Sequence, residues 1–95
     1  MQHATFTKPA QTRAQRLGIR TDVADALLAY GTARVGHSGA EVLYMDKAAR
    51  QTARKVMGPK AYARLADRLD CYIVVASDGD IIACAHRTER LRFKH

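Results

Sequence analysis

The sequence predicts an α+β domain, with N-terminal helices packed on an antiparallel β-sheet of three to four strands. Three observations predict it. The apolar runs on either side of Asp78-Gly79 form a hairpin signal, because a tight two-residue turn needs residues that tolerate positive φ. A third short apolar run, Glu41-Val42-Leu43-Tyr44-Met45, reads as another strand. Helical patterns precede these strands, which cluster toward the C-terminus, and that order suits helices layered on an antiparallel sheet.

The elements follow in order. After an extended start over Ala4 to Thr7, Thr7 or Lys8 with Pro9 opens a helix over about 8–17, since proline is tolerated in a first turn. Ala10, Ala14 and Leu17 form its inner face, and Gly18 with Ile19 reads as a terminating glycine and its apolar anchor. Arg13 and Arg16, three residues apart, project from neighbouring positions. A second helix has Thr21 as its N-cap and Val23, Leu27 and Tyr30 inward, and it ends at Gly31. Residues 32–39, with Gly36-His37-Ser38-Gly39, read as a turn-rich loop. Asp46 caps a helix from Lys47 to Met57, whose inner positions are Ala49, Ala53 and Val56 or Met57. Gly58-Pro59 breaks it and starts another, with Tyr62, Leu65, Ala66 and Leu69 inward. In the hairpin, a two-residue loop sets Ser77 opposite Asp80, Val75 opposite Ile82, Ile73 opposite Cys84 and Cys71 opposite His86. Beyond it Leu91 and Phe93 alternate with Arg90, Arg92 and Lys94, the pattern of a further edge strand.

The chain of 95 residues makes one small domain, 1–95. Two cysteines without a framework and a polar start indicate a reducing cytoplasm. No apolar run approaches the roughly 20 residues of a membrane helix, so no membrane partner is expected. The net charge of +7 is unevenly placed: residues 1–20 carry +4, residues 86–95 carry +3, and eight bases balance eight acids between them. If the fold joins the two ends, they form one basic surface suited to a phosphate-rich partner; otherwise both are solvated tails.

Candidate chemistry centres on the hairpin exit. Cys71, Cys84 and His86 share one face, but three ligands without a CxxC spacing do not make a zinc site, so no metal or cofactor is predicted. The cysteines are diagonal rather than opposite, which disfavours a disulfide and suits buried apolar roles. His86 stands where the apolar strand meets the basic tail, with Arg87 on the opposite strand face. A histidine there suits proton transfer with a ribose hydroxyl, while arginines hold the scissile phosphate, as in metal-independent RNA cleavage. The plainer alternative is a half-buried histidine satisfied by a backbone group. His37 is a weaker second candidate in its loop.

The segments Phe6 to Ile19, Tyr30-Gly31, Leu43 to Lys47, Val74 to Gly79 and Ala85-His86-Arg87 together resemble a bacterial family of small proteins, the domain of unknown function numbered four-two-five-eight. That family is distantly similar to the RelE and BrnT type toxins, small ribonucleases of toxin–antitoxin pairs. The resemblance implies a RelE-like fold with a curved antiparallel sheet, RNA as the substrate class and an antitoxin-like protein partner. It matches Arg13 and Arg16 to an arginine pair in the first helix and His86-Arg87 to a closing strand motif. Pro9 departs from it, standing where the family commonly has a histidine, so the chain either lacks activity or relies on His86.

Three readings follow. In the first, an RNA-directed toxin-like ribonuclease uses His86, Arg87 and Arg13 in catalysis and Arg13, Arg16, Arg20, Arg87, Arg90 and Arg92 to hold RNA. In the second, the same basic face belongs to a non-catalytic module for nucleic acid or an acidic partner. A third, structural reading gives the helical stripe Lys47, Arg50 and Arg54 to a protein partner.

Overall fold

A computed structural model describes residues 5–87 of the chain. The helices are α1 (Lys8–Leu17), α2 (Thr21–Tyr30), α3 (Lys47–Met57) and the short α4 (Pro59–Ala63). The strands are β1 (Thr32–Val35), β2 (Glu41–Tyr44), β3 (Cys71–Val75) and β4 (Ile81–His86). They form one antiparallel sheet in the order β1-β2-β3-β4, with the helices packed on it, an α+β fold.

Local chemistry places most boundaries. Thr7 accepts the Ala10 amide at the start of α1, and proline occupies the first turn. Gly18 closes α1 at φ 73°, a left-handed conformation that glycine adopts without a Cβ penalty. The Ile19 amide then returns to the Ala14 carbonyl at 2.8 Å, and its side chain is buried. Asp46 caps α3 by accepting the Ala49 amide at 2.8 Å. At α2 the expected cap moves by one residue: Arg20 is the N-cap, with no side-chain cap bond, and Thr21 is already helical.

Two further expectations change. Residues 32–35 form β1, an edge strand, rather than part of a loop. Its residues are mostly exposed and carry no apolar alternation, so pairing with β2 and the Thr32 hydroxyl's bond to Asp46 hold it. The hairpin turn also differs. The Gly79 amide reaches the Ala76 carbonyl and the Ala76 amide the Asp80 carbonyl, so Ser77-Asp78-Gly79 form a three-residue loop with Gly79 at φ 96°. Cys71–His86 and Ile73–Cys84 pair as expected, but Val75 pairs with Ile81, not Ile82. The irregularity leaves Ile82 as the extra residue of a bulge.

One sheet face carries the core. Leu43, Cys71, Ile73, Ile81 and Cys84 meet Val23, Ala24 and Leu27 of α2, Ala49 and Ala53 of α3, and Leu65 and Leu69 beyond α4. At about 25 cal/mol per Å², burying each large aliphatic side chain here contributes about 1.5–3 kcal/mol. α1 lies along β4. There Phe6 bridges Ile81 in parallel, through Thr7 N to Ile81 O at 3.0 Å and Ile81 N to Thr5 O at 2.8 Å. The N-terminal segment thereby covers an edge that would otherwise expose unpaired backbone groups. The expected strand over 90–94 lies outside the described residues. Among the described residues, no helix is long and apolar enough to cross a membrane.

Candidate nucleic-acid interface

The sheet's second face is built by alternation. Thr32 and Arg34 on β1, Val42 and Tyr44 on β2, Tyr72 and Val74 on β3, and Ala83 and Ala85 on β4 share it, because successive side chains point to opposite faces. The helices of the core cluster lie against the other face, and this one holds half-buried Val42, Tyr72 and Val74. Ala83 and Ala85 are small, so a hollow of about 600 Å³ opens between α1 and Tyr72. Pro9, Thr12, Arg13 and Arg16 form its helical wall, and Tyr72 and Ile82 flank the alanine floor.

Arg13 and Arg16 therefore meet at one place. Arg13 Nε donates to the Cys84 carbonyl on β4 at 3.2 Å, which fixes the stem while the residue stays exposed. Arg16 is exposed on the same wall and makes no ion pair with a described carboxylate. Arg87 occupies the same sheet face, two residues beyond Ala85. Its guanidinium lies 5.1 Å from the Tyr44 ring centroid and donates to the Met45 carbonyl at 3.3 Å. Such stacking contributes about 0.5–1 kcal/mol at an exposed site and holds the cation in one orientation. Arg34 Nε reaches the Tyr44 hydroxyl at 3.4 Å from the other side.

His86 is placed elsewhere. It points to the opposite face from Arg87, and its Nε2 lies 2.6 Å from the Leu17 carbonyl at the end of α1. A carbonyl only accepts, so Nε2 carries the proton and donates. The imidazole lines a separate hollow of about 220 Å³ with Leu17, Gly18, Ile19, Asp67, Arg68 and Asp70. Residues 5–17 do lie beside β4, but the His86 imidazole and the Arg13–Arg16 pair line different hollows, and residues 88–95 lie outside the described residues. Arg20 is bound by its own neighbour: its guanidinium pairs with the Asp22 carboxylate, with Nε to Oδ1 at 3.1 Å. Arg90 and Arg92 lie outside the described residues.

Comparison with protein-family models, with curated proteins and with solved structures gives no match. The geometry carries the functional argument alone.

Two residues that the sequence reading passed over belong to this surface. Tyr72 looks like one more core residue in an apolar run, yet it supplies the half-buried ring beside the arginines. Its strand parity, opposite to that of Cys71 and Ile73, was the available signal. Tyr44 likewise becomes the ring on which Arg87 rests. The cysteines are buried free thiols, as their apolar neighbours suggested. Burial pushes the Cys71 thiol up to about 11, and burial raises Cys84 while the nearby Arg13 charge opposes the rise. Among the described residues, no group of three or more histidine, cysteine or carboxylate side chains is arranged to hold a metal ion.

Proposed function

We propose that this protein is RNA-directed and takes a single strand across the sheet face that carries Tyr72 and Arg87, without cleaving it. The observation that carries the reading is the convergence of Arg13 and Arg16 with the Tyr72 ring in one hollow. Arginines at a groove wall hold phosphates through charge-assisted hydrogen bonds, and an adjacent aromatic ring accepts a base by stacking. Arg87, oriented on Tyr44, adds a third cation farther along the same face. The resemblance drawn from the sequence implies RNA as the substrate class and an antitoxin-like partner; the cleavage that it also implies is not part of this reading. A reducing cytoplasm is the compartment consistent with two free cysteines.

Binding is favoured over catalysis by the position of His86. Its Nε2 is engaged with Leu17, and it sits across the sheet from Arg87. A general base needs hydrogen-bond reach to the proton it removes, and phosphate held at Arg13 and Arg16 lies in a different hollow.

The test uses a short fluorescein-labelled oligouridylate titrated at several salt concentrations. Wild-type affinity is expected to fall linearly in log–log coordinates. Arg13→Gln/Arg16→Gln is expected to reduce the slope by about 1.4, from about 0.7 per lost contact on a single strand. A flat salt response in the wild type rules the reading out. Intact RNA after prolonged incubation is the expected result; cleavage abolished by His86→Ala would restore the ribonuclease reading.

A further inference from the structure

The helical stripe that the sequence offered to a protein partner, Lys47, Arg50 and Arg54, is broken because Arg50 turns inward. It donates to the Ala66 carbonyl at 3.3 Å and to Asp70 Oδ1 at 2.7 Å, which ties α3 to the segment before β3. The two edges of the sheet differ more sharply. β4 is covered: α1 lies along it, Arg13 holds its Cys84 carbonyl, and the Thr5–Thr7 segment bridges Ile81. β1 stands at the other edge and, among the described residues, pairs with β2 alone. It contains neither a proline nor a bulge, devices that commonly blunt an edge, and Ala33, Arg34 and Val35 are exposed.

Alternation along the ladders decides which backbone groups of β1 lie open. The Arg87 amide reaches the Asp70 carbonyl at 2.8 Å, so even-numbered residues of β3 turn their N–H and C=O groups toward β4. Odd-numbered residues of β3 then turn toward β2, even-numbered residues of β2 toward β1, and Thr32 and Arg34 toward β2. The Gly36 amide, bonded to the Ala40 carbonyl at 2.7 Å, keeps the same parity. Ala33 and Val35 are left with their N–H and C=O groups directed away from the sheet. Their side chains share the face of Leu43, and that of Val35 lies outside the core, 85% exposed. Arg34 projects from the other face, where its Nε reaches the Tyr44 hydroxyl.

We propose that β1 takes an extended, acidic segment of a partner protein as a fifth, antiparallel strand of the sheet. Two donors and two acceptors alternate along the open edge, at the spacing of a strand. Phosphate oxygens only accept and leave the carbonyls of Ala33 and Val35 unanswered, whereas a peptide backbone answers all four groups. Partner residues opposite Ala33 and Val35 exchange these bonds and lay apolar side chains beside the exposed valine. The residue between them faces Arg34 in the closer, non-hydrogen-bonded pair, where a carboxylate suits the guanidinium. A second copy of the chain fits worse. The two-fold register that uses all four groups pairs Ala33 with Val35 and sets Arg34 against its own counterpart, and each chain carries +7. The proposal does not rest on RNA binding.

The probe is the capped peptide Thr-Val-Glu-Val-Thr, titrated into the isotope-labelled full chain and followed by amide spectra and hydrogen exchange. In the free chain the Ala33 and Val35 amides are expected to exchange about 10-fold or more faster than that of Arg34. Saturating peptide is expected to slow both to the rate of Arg34. Methylating the two valine nitrogens of the peptide is expected to weaken it by about 10-fold or more, and methylating the glutamate nitrogen by less than about 3-fold. Lysine in place of the glutamate is expected to weaken it by about 3-fold or more. Val35→Pro removes an outward N–H without touching the β1–β2 ladder. It is expected to weaken the peptide by about 5-fold or more and to leave oligouridylate affinity within about 2-fold. The peptide series on the wild-type chain decides the matter should Val35→Pro unfold. Amides of Ala33 and Val35 left unprotected by peptide, equal loss from methylation at either position, or a lysine peptide binding as well as the glutamate one overturns the proposal. Protection of both amides that grows with protein concentration in the absence of peptide assigns the edge to a second copy and also overturns it. If wild type binds no RNA, the peptide measurements still decide this proposal by themselves.

Discussion

Asp46 shows how much one carboxylate does here. It accepts the Ala49 amide and the Thr32 hydroxyl, each at 2.8 Å, so it caps α3 and ties that helix to β1. The Ala49 amide, then Thr32, hold its carboxyl below the ordinary carboxylate range. A depressed folded-state value means the stabilisation is present above the unfolded value and lost as pH falls through the folded one. Asp46→Ala is expected to cost about 1–2 kcal/mol at pH 7, or several degrees in Tm, with the difference shrinking below about pH 4. Denaturant melts of both proteins at pH 7 and pH 3 check the sign. Cys71 supplies a second prediction. Burial has pushed its thiol up to about 11, and it is fully enclosed. Both cysteines are expected to resist a thiol reagent at pH 8 in the folded protein and to react at once in denaturant. Fast labelling of the native chain would contradict that burial.

At the scale of elements, the β3–β4 hairpin controls which side chains reach which surface. The bulge at Ile82 lets Ile81 and Cys84, three residues apart, both enter the core. It also turns Ile82 toward the hollow beside α1. Gly79 at φ 96° makes the three-residue loop possible. Gly79→Ala is expected to destabilise the protein by about 1–2 kcal/mol, since a Cβ is disfavoured in that conformation. A larger loss accompanied by changed near-ultraviolet circular dichroism would mean that the register itself had slipped. Docking of α1 rests on Arg13 to the Cys84 carbonyl, His86 to the Leu17 carbonyl, and the Thr5–Thr7 bridge to Ile81. His86→Ala is therefore expected to lower stability by about 1 kcal/mol while leaving oligouridylate affinity unchanged. A drop in RNA affinity larger than the drop in stability explains would place the imidazole at the RNA.

Across the whole molecule, the sheet separates two cationic regions with different company. Arg13 and Arg16 stand beside a tyrosine ring over a floor of alanines. Lys47, Arg54, Lys55, Lys60 and Arg64, on and just after α3 and α4, are exposed on the side of the core helices. Net charge alone does not distinguish them, because cations of either region attract anionic partners. Half of the terminal-charge argument also takes shape here: residues 5–17 do lie along β4, so the start of the chain and the hairpin exit are neighbours. Arg20 pairs with Asp22, two residues on, a half-exposed contact of the kind that contributes about 0–1 kcal/mol.

Much of the fold was readable along the chain because its signals are local. Thr7-Lys8-Pro9, Gly18-Ile19, Asp46 and Gly58-Pro59 each satisfy or terminate backbone groups within one turn, and they mark helix ends whatever surrounds them. The antiparallel pairing of Cys71 with His86 followed from alternation and turn chemistry in the same way. β1 escaped notice because an exposed edge strand carries no burial pattern of its own. Which cations stay available was decided by packing over long separations. Arg50 is drawn in by Asp70, Arg87 settles on Tyr44, and His86 is taken by a carbonyl 69 residues earlier. A side chain's partners depend on elements that meet only when the core forms, and no local pattern encodes that meeting.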